Sequence, residues 1–249
     1  MTTYRRKREV NVKKATVAFL IIGLGFMTTA NAETRLPGIG KMENSTSFSP
    51  KDAPMTADPI IIPLKGLSWG MTSMQLGVVV DAILDEDYRP LYAKVSPGVK
   101  MKQLGAALAE EKAQLRRSRI DFVRPPTNVD ATVLKGEYSY NNLESLLTLN
   151  RKGTVTHFFL IRDRLWKIIE EHKLDNGSPQ GVNYQDSVAR LSALLGVKGR
   201  SIPAGVNGAP EVDWRDKITH IRAIQRSGIE VGFAFEELTG LRAIAPDRR

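Results

Sequence analysis

Apolar residues recur at two spacings along this chain, and the helical spacing comes first. After Thr72, a predicted N-cap, they return every three or four positions and predict a helix over residues 73–84. A second stripe predicts an amphipathic helix that ends near residue 119, after a loop over residues 85–100. Asn183 and Gly196 bracket a third predicted helix. The residues of the three stripes are Leu76, Val79, Val80 and Ile83; Met101, Leu104, Leu108 and Leu115; and Tyr184, Val188, Leu191 and Leu195.

Extended character replaces this spacing from Gly136 to His172. Turn signals at 150–153 and 162–164 divide the stretch into an antiparallel meander, with strands over 145–149, 154–161 and 165–172. The middle strand is apolar on both faces near its end, so we expect it to be central and covered on both sides. Two further strands are predicted over 217–225 and 229–236, the last with one face buried and one facing water.

These elements predict an α+β protein with helices packed on antiparallel sheets, arranged as two related units in tandem. The first unit covers residues 64–175, and the second, smaller one covers 180–245. Residues 33–63 are rich in Pro, Ser, Asn and Thr, a composition typical of a flexible tether or of a disordered N-terminal stretch without a task.

The segment from Gly70 to Leu76, which opens the first helix, resembles the helix entry of the SmpA-type outer-membrane assembly lipoproteins. Residues 181–183 precede the third helix in a similar way. The resemblance implies modules of two helices on a three-stranded antiparallel sheet, in a non-catalytic envelope protein that docks on other proteins. The chain departs from that family because it has no cysteine to carry a lipid, and because its loop over 85–100 is longer.

Residues 1–32 have the pattern of a secretory signal peptide. A basic segment precedes an apolar run over 15–26, and Ala30 and Ala32 form a small-x-small site before Glu33. We therefore expect export to the periplasm by the general secretory route and cleavage before Glu33. Retention of this segment as an inner-membrane anchor is the alternative.

Much of the positive charge belongs to this leader. Residues 1–32 carry six Lys/Arg and one Glu, hence +5 of the formal +9, which leaves +4 for the other 217 residues. A nucleic-acid-binding protein would show a basic face with interleaved aromatic residues, so we expect no nucleic-acid partner.

Candidate catalytic chemistry is sparse. The three histidines, His157, His172 and His220, lie in predicted strands without metal-ligand spacing, and the sequence has neither a nucleophile elbow nor a Gly-rich phosphate loop. We therefore predict no metal and no cofactor. Carboxylates from separate strands could still form an acid/base pair. The candidates are Glu137, Glu144, Asp163, Glu170 and Glu171.

Two features suggest binding. Arg116, Arg117 and Arg119 close the second helix, where they form either an anion-docking patch or a complement to the helix dipole. Trp214, flanked by charges beside a Gly/Pro-rich loop over 199–210, is a candidate interaction residue, whereas Trp69 and Trp166 are expected in the core.

Together these features predict a non-catalytic periplasmic binding or scaffold component of a cell-envelope complex, in outer-membrane assembly, secretion or motility machinery. Its expected partners are envelope proteins, with transient contact to a membrane surface. The alternative is a carboxylate-dependent periplasmic hydrolase or a carbohydrate-binding module.

Overall fold

A computed structural model describes residues 49–122, 130–131, 134, 137–139, 143–203 and 208–240. The predicted leader and its cleavage residues Ala30, Ala32 and Glu33 lie outside the described residues. Within the described part the helices are α1 (Ser73–Tyr92), α2 (Val99–Arg117) and α3 (Tyr184–Leu195), and a 3₁₀ turn covers Pro50–Asp52.

The predicted helix starts are confirmed by their caps. The Thr72 hydroxyl accepts a hydrogen bond from the Gln75 backbone N–H at 3.2 Å, and the Gln75 side chain accepts one from the Thr72 N–H at 2.9 Å. Asn183 caps α3 through the Asp186 N–H, and Gly196 ends it with a φ of 69°.

Helix α1 runs eight residues past its predicted end and α2 begins at Val99, so the predicted loop over 85–100 is wrong for 85–92 and 99–100. Tyr88 is buried one turn beyond Leu84 and continues the apolar stripe, which keeps the chain helical. Pro90 lies inside the last turn of α1, and the connection to α2 shortens to residues 93–98.

The strands confirm the predicted meander. The described strands are β1 (Ile120–Asp121), β2 (Asp130–Ala131), β3 (Tyr138–Ser139), β4 (Glu144–Arg151), β5 (Thr154–Ile161), β6 (Arg164–Lys173), β7 (Arg200–Ile202), β8 (Glu211–Arg215), β9 (Thr219–Ser227) and β10 (Glu230–Glu237). Strands β2 and β3 pair with each other. The other eight form one antiparallel sheet in the order β1-β4-β5-β6-β10-β9-β8-β7.

Side chains alternate between two different environments across this sheet. On one face, which we call the helix-covered face, residues such as Phe158, Ile168 and Phe235 join a core cluster with Leu76 of α1 and Tyr184 of α3. On the opposite, helix-free face a smaller apolar cluster contains no helix residue. Its buried members are Leu146, Phe159, Trp166, Ile169, Ile224 and Ala234. The fold is therefore α+β, with the helices gathered on one side of a single eight-stranded sheet.

Two predicted loops have regular or ordered structure. The Gly/Pro-rich stretch over 199–210 contributes β7, and β8 follows it where no strand was predicted. The predicted tether over 33–63 is wrong for its described part, residues 49–63, which we call the strap. Beyond its 3₁₀ turn, the strap forms backbone hydrogen bonds with the end of β8: the Thr56 N–H donates to the Arg215 carbonyl at 2.8 Å, and the Arg215 N–H donates to the Pro54 carbonyl at 2.9 Å. Ala53 and Ile60 are buried there.

None of the helices in the described residues is long and apolar enough to cross a membrane.

Candidate functional site

A cluster of buried charged side chains lies on the helix-free face, and we call it the charged cluster. Strands β6, β8, β9 and β10 position most of it, because every second residue of a strand projects from the same face. The paired positions Glu236 and Lys167, Glu236 and His220, and Arg222 and Asp213 face one another across neighbouring strands. Its members are Glu137, Lys167, Arg200, Glu211, Asp213, His220, Arg222 and Glu236.

Arg222 is the centre of this cluster. Its guanidinium donates to Glu236 at 2.8 Å, to Glu211 at 3.0 Å and to Glu137 at 3.2 Å. A guanidinium presents five donors in a rigid plane and can bind three carboxylates at once. Charges from β8, β9 and β10 and from residue 137 are thereby joined at one side chain.

Lys167 pairs with the same carboxylates from the other side. Its Nζ donates to Glu137 at 2.7 Å and lies 3.8 Å from Glu236. The ammonium also lies 4.8 Å from the centre of the Phe159 ring and 4.5 Å from that of Trp166. These aromatic faces attract the cation on the side that carries no carboxylate.

His220 links Glu236 to Asp213. Its Nδ1 lies 3.0 Å from Glu236 and its Nε2 lies 3.1 Å from Asp213, whose other contact is a double hydrogen bond with Arg200. Burial alone would lower the pKa of His220, but the hydrogen bonds to both carboxylates and the charge of Glu236 outweigh it and raise the pKa above its ordinary value of 6.5.

The charges of the cluster balance when His220 is protonated. Four carboxylates (Glu137, Glu211, Asp213, Glu236) then face four cations (Lys167, Arg200, His220, Arg222). The pKa values of Glu137, Asp213 and Glu236 all lie below their usual range: burial opposes ionisation, and neighbouring cations and hydrogen bonds overcome it. These three carboxylates therefore stay ionised at neutral pH.

Two of the three buried histidines of the sheet, His220 and His157, should give the folded protein a stability maximum in pH. Because the pKa of His220 is higher folded than unfolded, its stabilisation is complete below about pH 6.5 and is lost as pH rises through the folded pKa. His157 has the opposite effect. Burial, and after it the charge of Arg226, lower the pKa of His157 to about 4. The stability of the folded protein therefore falls as the pH drops from 6.5 towards 4. Each slope is at most about 1.4 kcal/mol per pH unit.

Urea unfolding at half-unit steps from pH 4.5 to 8.5 measures both slopes. His220→Gln should flatten the alkaline side alone, and His157→Gln the acid side alone. Identical pH profiles for wild type and His220→Gln would contradict the protonated assignment of His220.

The predicted arginine patch lies elsewhere, and each of its members is ion-paired. Arg116 pairs with Asp81 at 2.5 Å, Arg117 pairs with Glu110, and Arg119 contacts Asp121 at 2.8 Å and Asp163 at 3.5 Å. The described structure therefore brings Arg116, Arg117 and Arg119 to the end of α2 but satisfies their charges there.

The tryptophans contribute to the core. Trp214 is fully buried on the helix-covered face, and its indole N–H donates to the Val197 carbonyl at 3.0 Å, so it offers no surface to a partner. Trp166 is buried and Trp69 is half-buried against the core. The Trp69 indole N–H donates to the Thr219 hydroxyl at 3.1 Å.

The carboxylates proposed for acid/base chemistry are dispersed. Glu137 belongs to the charged cluster, Asp163 accepts from the Ser73 N–H at the start of α1, and Glu171 pairs with Arg226 at 2.9 Å. Glu170 lies 3.2 Å from His172. Among the described residues, no group of three or more His, Asp or Glu side chains could hold a metal ion.

The expectation of a water-facing side on β10 is wrong, since Glu236 and Ala234 are both buried. Charged residues alternating with apolar ones, as in Glu211–Arg215, resemble a half-exposed strand in the sequence. Only the cross-strand partners distinguish a buried cluster from a solvated face.

No family model, curated protein or solved structure matches this chain.

Proposed function

We propose that the protein is an exported, non-catalytic binding component of a cell-envelope complex, belonging to an outer-membrane assembly, secretion or motility apparatus. The signal-peptide pattern over residues 1–32 supports export to the periplasm. Other envelope proteins are the proposed partners.

The observation that carries the proposal is an apolar stripe on the outer side of α1. Met74, Val78 and Ala82 follow one another at a spacing of four residues, and Met74 is 80% and Val78 65% exposed. This stripe is opposite the buried one formed by Leu76, Val80 and Leu84. A helix that is apolar on both sides, with one side in the core, presents the other to a partner.

The charged cluster supports a non-catalytic role. A general acid of the glycosidase type needs a raised pKa, whereas the pKa values of Glu137, Asp213 and Glu236 are lowered. Because each of these carboxylates is paired with a cation, the cluster suits a rigid joint between strands better than proton transfer.

The strand order supports two related units in tandem. The meander β4-β5-β6 and the meander β8-β9-β10 meet through their last strands, β6 and β10, which pair over seven residues. Helices α1 and α2 precede the first meander, and α3 precedes the second. Two helices ahead of a three-stranded meander also agree with the proposed resemblance to SmpA-type modules, a likeness of arrangement alone.

Charge introduced into the α1 stripe should abolish docking. We expect the double variant Met74→Glu/Val78→Glu to lose about tenfold or more of its crosslinked partner, since burying unpaired carboxylates in an interface costs more than the 1.4 kcal/mol that a tenfold change represents. The measurement is in-cell crosslinking of the tagged protein, followed by quantitative mass spectrometry of the envelope fraction.

Leu194→Glu is the matched control, because Leu194 is 82% exposed but lies on α3. It should leave the partner yield unchanged. The same mass spectra identify the N-terminal residue of the mature protein, which we propose is Glu33. A protein that crosslinks to no stoichiometric partner in any variant would overturn the proposed function.

A further inference from the structure

The turn between α1 and α2 and the helix ends beside it form a cationic tip, which we define as residues 89–104. It carries four exposed cations, Arg89, Lys94, Lys100 and Lys102. The sequence contains no Asp or Glu from residue 88 to residue 109. The tip therefore lies within a stretch of 22 residues that carries positive side chains and no negative ones.

These four cations differ from those at the opposite end of the same hairpin. At that end Lys112 pairs with Asp85 at 2.6 Å and Arg116 with Asp81 at 2.5 Å. Among the described residues, Arg89, Lys94, Lys100 and Lys102 have no salt-bridge partner.

The acidic residues nearest the tip along each helix are already engaged. Asp87 binds Arg151 at 2.5 Å and Lys152 at 2.5 Å, and Glu110 pairs with Arg117. Glu86 lies one turn before Arg89, but no salt bridge joins the two among the described residues. The positive charge of the tip is therefore available to bind a ligand that is not part of the described fold.

Apolar side chains are exposed among these cations. Val99 is 72% and Leu91 43% exposed, and Met101 and Leu104 are half-buried. The hairpin itself is held firmly behind them: Tyr88 donates to Glu111 at 2.7 Å across the two helices, and the Tyr92 hydroxyl lies close to Gly105. Contacts between α1 and α2 therefore hold the tip in place.

We infer that this cationic tip binds an anionic phospholipid membrane surface, with Arg89, Lys94, Lys100 and Lys102 at the headgroups and Leu91 and Val99 at the boundary of the acyl chains. Long cationic side chains around a few apolar ones are suited to an interface that is charged outside and apolar beneath. An acidic protein face would satisfy the cations but would leave Val99 and Leu91 against charge.

This inference deepens the proposed function, because it gives an envelope component a second contact, with the membrane itself. It uses residues separate from the α1 stripe, so either can fail without the other.

The absence of cysteine from the chain allows a clean probe. Val99→Cys in the full chain, labelled with the environment-sensitive dye NBD, reports the tip, and Leu194→Cys labelled in the same way is the control on α3. Each is titrated with vesicles of phosphatidylcholine alone and with vesicles containing 30% phosphatidylglycerol. Residue 194 belongs to the same chain, so recruitment of the protein by the leader alone would not favour a signal at residue 99 over one at residue 194.

We expect a blue shift and brighter emission at residue 99 with anionic vesicles only, reversed by 1 M salt, and no change at residue 194. Adding Lys94→Gln, Lys100→Gln and Lys102→Gln should weaken the apparent affinity on the order of a hundredfold, from the contribution of each cation near an anionic surface. No response at residue 99, equal responses to neutral and anionic vesicles, or the same blue shift with soluble polyglutamate would each overturn the inference.

Discussion

Replacing Arg222 by methionine should lower the free energy of unfolding by about 3–5 kcal/mol, the usual cost of removing one partner from a buried ion pair. The guanidinium binds Glu137, Glu211 and Glu236, all of which are buried. Methionine fills much of the same volume, so the loss is electrostatic: three carboxylates lose their main counter-charge in a region from which water is excluded.

Urea denaturation at pH 7 measures this change. Arg190→Met is the matched control, since Arg190 pairs with Asp186 four residues away on the exposed side of α3. Such a solvent-exposed pair contributes little to stability. Similar losses for the two variants would show that the charged cluster is solvated and contributes little to stability.

Replacing Trp214 by alanine should cost about 3–5 kcal/mol, as large-to-small changes of buried aromatic residues do. The indole is fully buried, and its N–H is bonded to Val197. The chain at Gly199 lies so close that a Cβ there would be 2.5 Å from the indole ring. The backbone at Gly199 therefore packs directly against the indole. We expect it to move little and to leave most of the cavity created by alanine unfilled.

Thermal unfolding followed by near-ultraviolet circular dichroism measures the effect. Trp214→Phe should recover part of the loss because it keeps most of the apolar area. Leu194→Ala, on the exposed surface, should change stability by no more than about 0.5 kcal/mol. A Trp214→Ala protein of wild-type stability that no longer bound its partner would instead restore the sequence-based role of Trp214 in binding.

The predictable elements were those whose signals are local. The Thr72 and Asn183 caps, the turn at 150–153 and the position of β10 each depend on signals that lie within a few residues, and the structure confirms them. Strand β8 was missed because it has only five residues, and three of them are charged. Alternation that short is not distinguishable from a polar loop.

The candidate site was not predictable for a different reason. Glu137 and Arg222 are 85 positions apart, and Lys167 and Glu236 come from strands of separate predicted units. Burial of such charges depends on partners that only the sheet order brings together. Local sequence patterns instead point to Arg116, Arg117 and Arg119, which are close in sequence and pair with nearby acidic residues.

The strap also has a consequence for the order of folding. It covers the outer edge of β8 beyond the three residues of β7, yet its long-range hydrogen bonds join positions 151 to 162 residues apart. Contacts that close so long a loop form late. In a chain that emerges N-terminus first, the strap must wait for nearly the whole sequence before it can pair. Until β8 has been made, the backbone groups of the strap that pair with the sheet have no partner there and are open to pairing with another chain.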